Sequence, residues 1–332
     1  MASIHLIAWN NGRGLSHDIR LLEDALLALG HEVSITSVPR RSRGLPWRAW
    51  WQRLRMHARW LAGRGPRRHD LGITLEHVHA AYLPLARCNA LVPNPEWLSR
   101  RDRRQLHRFD AILCKTAIAR DTFAAQGLPV HVIGFQSIDC RREGIERNRD
   151  FLHLAGASRM KGTERLLEIW RRHPEWPTLH VLQSPSTARG DQAGTAANLD
   201  HRVTYVDDIE DIRRLQNAHA FHLCLSEAEG WGHYIVEAMS CGAVVLATDA
   251  PPMNELVGDD RGLLVTAHEN GTLNASALWQ FDEAALAACV ERAVGMPDQE
   301  LHRLGENARH WYENNQAGFA GRLRGALDHL LG

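Results

Sequence analysis

The chain has 332 residues, with 39 basic and 39 acidic side chains and a hydrophobic fraction of 44%. That length fits two domains of ordinary size, the apolar fraction excludes a disordered chain, and no apolar run approaches the roughly 18 residues of a membrane span. Met1-Ala2-Ser3 leads straight into an apolar strand pattern, without the basic flank and apolar core of a secretory signal. Six cysteines with no C-x-x-C pair imply reduced thiols in a cytosolic protein rather than a disulfide frame or a zinc site.

In chain order, an apolar run at 4–8 predicts a strand, followed by the polar turn Asn10-Asn11-Gly12-Arg13-Gly14 and a helical pattern at 17–29 that Gly30 stops. Strands are expected at 33–38, 71–75, 90–92, 111–114 and 130–133, with helices near 99–108 and 117–126. The polar stretch 137–150 marks a boundary: an N-terminal domain at 1–137, a linker at 138–150, a second domain at 151–310 and a closing helix at 311–332. The second series predicts strands at 151–155, 179–182, 203–206, 221–225, 244–247 and 263–265, and helices near 163–172, 209–218, 234–240 and 283–294. Residues 184–200 and 268–280 read as loops. The expected fold is therefore α/β, with two Rossmann-like, doubly wound domains facing each other across a cleft. In such sheets chemistry is sought on the loops that follow strands.

The zero net charge conceals a split, +10 in residues 1–150 and −10 in residues 151–332. Opposite signs point to domains that face different partners, or each other. Of the 39 basic residues only Lys115 and Lys161 are lysines. A compact ammonium is not replaceable by guanidinium where it must meet a phosphate, which singles these two out; chance survival is the alternative.

The segment Ser226-Glu-Ala-Glu-Gly-Trp-Gly-His-Tyr-Ile-Val-Glu-Ala-Met-Ser-Cys-Gly carries the chemistry. A strand ends in a glycine turn and a helix begins near His233, a start suited to a phosphate. Gly230 and Gly232 permit close backbone approach to a ligand. Glu229 on the loop and Glu237 one turn into the helix are acceptor-only groups suited to sugar and ribose hydroxyls. Taken as a lone pair, Glu229 would instead cap the helix and Glu237 would be solvated.

This segment resembles the E-x7-E signature of glycosyltransferase family 4, retaining enzymes of GT-B fold. The similarity continues through Glu237-Ala-Met-Ser-Cys-Gly-Ala-Val-Val-Leu-Ala-Thr, Asn254-Glu255-Leu-Val and Gly262-Leu-Leu-Val. Asn11-Gly12-Arg-Gly14 resembles the family's N-terminal glycine loop, and Phe151-Leu-His-Leu-Ala-Gly156 with Lys161-Gly162-Thr163 resembles the opening of its donor domain. The resemblance implies that Glu237 binds the nucleotide ribose, Glu229 lies near the transferred sugar, and backbone groups around Trp231, Gly232, His233 and Tyr234 meet the sugar and diphosphate. It implies that Arg159 and Lys161 neutralise the departing diphosphate, although the family usually has its Arg directly after the glycine, whereas Ala157 and Ser158 precede Arg159 here. A donor site of this kind needs no cofactor and no metal, and the chain contains no Asp-x-Asp.

On the acceptor side, family members often carry a functional His near Thr74-Leu75-Glu76-His77-Val78-His79, which leaves His77 and His79 both open. Glu76, Asn94 and Glu96 stand at strand ends; Glu96 alternatively caps a helix ahead of Trp97 and Ser99. Lys115 ends the strand at 111–114, with a simple helix-turn lysine as the alternative. Residues 39–68 hold ten arginines, four tryptophans and no acid. Trp47, Trp50 or Trp51, Leu54, Ala58 and Leu61 recur at helical spacing, the pattern of an interfacial anchor on an anionic membrane; the alternative is a Trp stripe packed on the sheet. Nucleic-acid binding is not expected, since aromatic base platforms in a recognised fold are absent.

The expected activity is retaining transfer of a sugar from a UDP- or GDP-linked donor to a hydroxyl of a glycan, lipid-linked or small-molecule acceptor, in bacterial surface-polysaccharide or glycoconjugate synthesis. The expected place is the cytoplasm, or the inner face of the cell membrane. The alternative is a non-catalytic nucleotide-sugar-binding protein of the same fold. A nicotinamide oxidoreductase is discounted because His17 stands where the third glycine of its fingerprint belongs, and no acid ends the second strand near Val38.

Overall fold

The computed structural model describes residues 1–9, 14–38, 46–189, 196–204 and 208–332. The chain divides into two compact units, one of residues 1–136, 273–276 and 316–332, the other of residues 137–272 and 277–315. Residues 137–150 thus belong to the second unit. Cys140 N donates to Ser240 Oγ at 2.9 Å there, and Arg147 holds the Cys241 and Gly242 carbonyls.

In the first unit the elements run β1 (Ser3–Ala8), α1 (Gly14–Ala28), β2 (Glu32–Ser37), α2 (Pro46–Leu61), β3 (His69–Leu75), β4 (Ala86–Val92), α3 (Arg100–Arg103), β5 (Ala111–Cys114), α4 (Ala117–Phe123) and β6 (Val130–Val132). The strands form one parallel sheet in the order β2-β1-β3-β4-β5-β6. Its central strands are apolar on both faces, as a sheet covered by helices requires, with Leu71, Ile73, Ala90 and Ile112 fully buried. The helix expected at 99–108 is shorter, because Ser99 and Asp102 close a capping box around four residues and a separate single turn follows at Leu106–Arg108. Thr116 caps α4.

The remaining elements, which lie in the second unit apart from residues 273–276 and 316–332, are β7 (Asn148–Gly156), α5 (Thr163–Arg171), β8 (Leu179–Gln183), β9 (Leu199–Val203), α6 (Ile209–Ala218), β10 (His219–Cys224), α7 (His233–Ser240), β11 (Val244–Asp249), α8 (Met253–Leu256), β12 (Gly262–Leu273), β13 (Ser276–Phe281), α9 (Glu283–Val294) and α10 (Asp298–Leu331). Their sheet order is β13-β12-β11-β10-β7-β8-β9. The core stacks aromatic rings across neighbouring strands, Phe151 lying 5.1 Å from Phe221 and 5.2 Å from Trp170. Residues 316–331 of α10 count with the first unit, where Phe319 meets Phe135 at 5.5 Å and Arg322 donates to Ile133 O at 2.8 Å.

Two further sequence expectations need correction. The strand placed at 203–206 is β9 at Leu199–Val203; residues 205–207 lie outside those described. Residues 268–280 are not a loop but the arms of the β12–β13 hairpin, turning on Asn274 at φ +56°. The alternation of Ala277, Trp279 and Phe281 suits a strand, but it is too short to outweigh the polar residues before it.

No helix among the described residues is long and apolar enough to cross a membrane. Several histidines are buried neutral instead. Desolvation pushes His5 and His222 down to about 3 and His153 down to about 4. His153 bridges Leu223 O and Thr163 Oγ1 at 2.8 Å each, tying β7, β10 and α5 together. Unfolding releases these rings to protonate near 6.5, so their contribution to stability is complete above that pH and is lost as pH falls toward the folded values. The urea midpoint should therefore fall steadily from about pH 7 to about pH 5, by roughly 1.4 kcal/mol per histidine per pH unit at the steep end. A flat midpoint over that range would contradict the buried neutral histidines.

Candidate active site

In the second unit β7 and β10 are neighbours, yet β7 leads to β8 on one side and β10 leads to β11 on the other. The loops beyond their carboxyl ends, 157–162 and 225–232, flank the switch point at which open α/β sheets bind ligands. Gly162 locks these loops together. It holds φ +65°, and a Cβ there would lie 2.6 Å from Leu225 O and 2.9 Å from Phe281 Cε1. Only glycine satisfies both the dihedral angle and the gap. Glu227 N donates to Met160 O at 2.8 Å between the same loops.

This close approach turns Lys161 inward. Its Nζ donates to Leu154 O at 2.9 Å and lies 3.7 Å from the ring centroid of Tyr234. Burial lowers the lysine's pKa, and Glu229 and Glu237 act in the opposite sense. Tyr234 is the second residue of α7, which starts behind Gly232 at φ +92° with no side-chain cap, so the helix start presents its dipole's positive end. Ser226 Oγ donates to Glu229 Oε1 at 2.7 Å and also hydrogen-bonds Tyr234 Oη. Burial raises the Glu237 pKa, partly offset by His233 and Lys161, and Gln216 Nε2 lies 3.4 Å from its Oε2. Ser137 Oγ accepts from Trp231 Nε1 at 3.1 Å and lies 2.9 Å from His233 Nδ1.

The structure thus gathers Lys161, Glu229, Trp231, His233, Tyr234 and Glu237 around one loop pair, with Gly230 and Gly232 buried beneath them. Glu229 does not cap the helix; its partner is Ser226. Arg159 is exposed and lines a cavity of about 410 Å³ with Gly162, Thr187, Arg189 and Trp279, whose lining does not include Lys161. Ser137, Gln216 and Ser226 are site residues that sequence reasoning passed over. Ser226 opens the quoted segment and was within reach, whereas Ser137 and Gln216 come from other elements and carry no local signal.

In the first unit the corresponding switch point lies between β1 and β3. Gly12 falls outside the described residues, and Gly14 opens α1. Glu76, just past β3, is buried at φ +65°, a conformation that costs a non-glycine residue about 1–3 kcal/mol and tends to mark functional sites. Burial raises its pKa, against the charges of His77 and Lys115 and a hydrogen bond with Asn94. His77 and His79 differ in environment. Asp102, 3.4 Å from His77 Nδ1, raises the His77 pKa, whereas burial lowers His79 to about 4 and its Nε2 has no hydrogen-bond partner among the described residues. Glu96 is buried and its carbonyl accepts from Asn274 Nδ2 at 2.7 Å. The α3 cap is Ser99, so the capping alternative for Glu96 fails. Lys115 Nζ donates to Asp18 Oδ2 at 2.5 Å, both groups buried, and lies 4.6 Å from the Phe135 ring centroid.

With this geometry in view, the comparisons are specific. A model of the glycosyl transferases group 1 matches residues 138–311, just over half of the chain. The chain belongs to the group 1 glycosyl transferases. It is 29% identical over 159 residues to an alpha-maltose-1-phosphate synthase of Mycolicibacterium smegmatis, covering 47% of this chain and 38% of that relative's length. Its fold is shared by a sucrose-phosphate synthase from Thermosynechococcus elongatus, with TM-score 0.70, 16% identity and 99% of each chain covered. A glycosyltransferase from Rickettsia africae is similar at TM-score 0.73 and 13% identity, covering 99% of this chain and 98% of that one. The architecture is GT-B, two Rossmann-like parallel-sheet domains.

Within this group 1 glycosyl transferase Lys115 and Asp18 form a buried ion pair in the first unit. Breaking such a pair by removing one partner costs about 3–5 kcal/mol. Lys115→Met should lower unfolding stability by that amount, and Lys115→Met with Asp18→Leu should recover much of it. Chemical denaturation of the single and double variants measures this; additive losses would disprove the coupling.

Proposed function

We propose that the protein is a retaining glycosyltransferase of family 4 that moves a sugar from a nucleotide-sugar to an acceptor hydroxyl without a metal. The observation that carries this reading is the partly buried Lys161 ammonium beneath Tyr234, beside Glu229 and Glu237 at the start of α7. A nucleoside diphosphate leaving group needs fixed positive charge as its bond to the sugar breaks, and Lys161 with the helix start supplies it. Glu237 holds the ribose diol, and Glu229, oriented by Ser226, holds a hydroxyl of the transferred sugar. The anomeric carbon–phosphate oxygen bond breaks and the acceptor oxygen bonds the same face, its proton passing to the leaving phosphate. No protein nucleophile is required.

The acceptor hydroxyl is bound by the first unit's strand-end groups, Glu76, His77, Asn94 and Glu96. His79, being neutral, contributes a hydrogen bond rather than a charge. The acceptor class is a glycan or lipid-linked sugar of a bacterial surface glycoconjugate. The fold shared with a sucrose-phosphate synthase makes a small sugar phosphate the contrasting class to assay.

Glu237→Ala and Lys161→Ala should each reduce transfer, or slow donor hydrolysis, by about 10²–10³-fold. The assay is a panel of UDP-, GDP- and ADP-sugars scored for nucleoside diphosphate release. Unchanged turnover in either variant would refute the donor-site assignment. A second reading, nucleotide-sugar binding without turnover, draws on the separation of Arg159 from Lys161, and is favoured if the panel gives thermal stabilisation but no release.

A further inference from the structure

The outward face of α2 has no place in sugar transfer chemistry, and its composition is unusual. Ala49 is buried and Gln52 and Met56 are half-buried, so the helix packs through a narrow face of small and linear side chains. At 100° per residue, Trp47, Trp50, Trp51, Leu54, Ala58 and Leu61 centre about 180° from that face. Trp47, Trp50 and Trp51 are 54%, 57% and 51% exposed, and Leu61 is 69% exposed. The tryptophans therefore do not pack on the sheet, which settles against the packed-stripe alternative. Arginines flank the stripe on both sides, with Arg48, Arg55 and Arg59 along one edge and Arg53 along the other.

A second feature adjoins the stripe. Trp50, Leu54, Arg53, His57, Arg67 and Arg68 line a cavity of about 300 Å³ closed by Pro84 and Leu85. Arg53, Arg67 and Arg68 line this one cavity with no acid among its lining residues, a set of side chains suited to a phosphate group. Between residues 39 and 68 there is no aspartate or glutamate to oppose them.

We propose that α2 docks this protein on an anionic phospholipid surface, its Trp and Leu stripe entering the headgroup boundary and its arginine cavity seating a lipid phosphate. Charge complementarity selects this occupant. A protein partner would face a stripe walled by like charge, whereas an anionic leaflet offers phosphates to every flanking arginine and an apolar boundary to the indoles. Each arginine near such a surface adds about tenfold or less to partitioning, and the attraction decays with ionic strength.

The test uses the full chain and sedimentation with vesicles of phosphatidylcholine alone or mixed with phosphatidylglycerol. The protein should pellet with the mixed vesicles, not with phosphatidylcholine alone, and salt should release it. Trp47→Ser/Trp50→Ser/Trp51→Ser should lower partitioning at least about tenfold, and Arg53→Gln/Arg67→Gln/Arg68→Gln about a hundredfold at low salt. Arg100→Gln/Arg101→Gln, which removes charge elsewhere on the first unit, should bind like the parent chain. All variants should keep the parent's unfolding midpoint within a few degrees, since the altered side chains are exposed. Failure to bind anionic vesicles at low salt, or equal loss in the Arg100/Arg101 control, overturns the proposal. So does a concentration-dependent dimer that the triple Trp variant dissolves. Donor hydrolysis measured on the same samples is independent of these outcomes.

Discussion

The donor-side geometry depends on one close approach, the α-carbon of Gly162 against the carbonyl of Leu225. No side chain fits that gap, and the left-handed backbone there suits glycine alone. Because the two loops touch, the residue before the glycine is carried under Tyr234, and the ammonium of Lys161 interacts with carboxylates from the loop after β10 and from α7. His153, buried between Leu223 and Thr163, braces the same junction from below. A backbone contact thus places a charge at the candidate site.

Burial disfavours the charged forms of both Lys161 and Glu237, and Glu229 adds a second carboxyl group beside the lysine. A ligand that brings hydroxyls to the carboxylates and anionic oxygens to the lysine relieves both strains at once, and a nucleotide-sugar has that distribution of groups. The first unit solves a different problem. There the buried Lys115 is already matched by Asp18, leaving a strained Glu76 and two unlike histidines at the strand ends, a surface suited to hydroxyls more than to phosphates.

Much of this was legible in the sequence, for identifiable reasons. Lys161, Glu229 and Glu237 sit at fixed offsets from glycines and strand ends, so local spacing announces them. Asp18, Ser137 and Gln216 act through contacts between distant segments, and no local pattern marks them. The strands buried on both faces announced themselves as apolar runs, whereas the polar β12–β13 hairpin did not. The orientation of α2 was open because a helix with tryptophans on one face and Ala49 and Met56 on another has two apolar options, and only packing chooses between them. The two rare lysines separated in the same way: Lys161 lies beside Tyr234 at the candidate site, and Lys115 is held in a buried pair.

The most direct measurement is a crystal structure of the protein grown with a nucleoside diphosphate. The account predicts diphosphate oxygens within hydrogen-bond reach of Lys161 Nζ and the start of α7, with the ribose on Glu237. Density for the nucleotide in the Arg159–Trp279 cavity instead, with the Lys161 cluster unchanged, would contradict it.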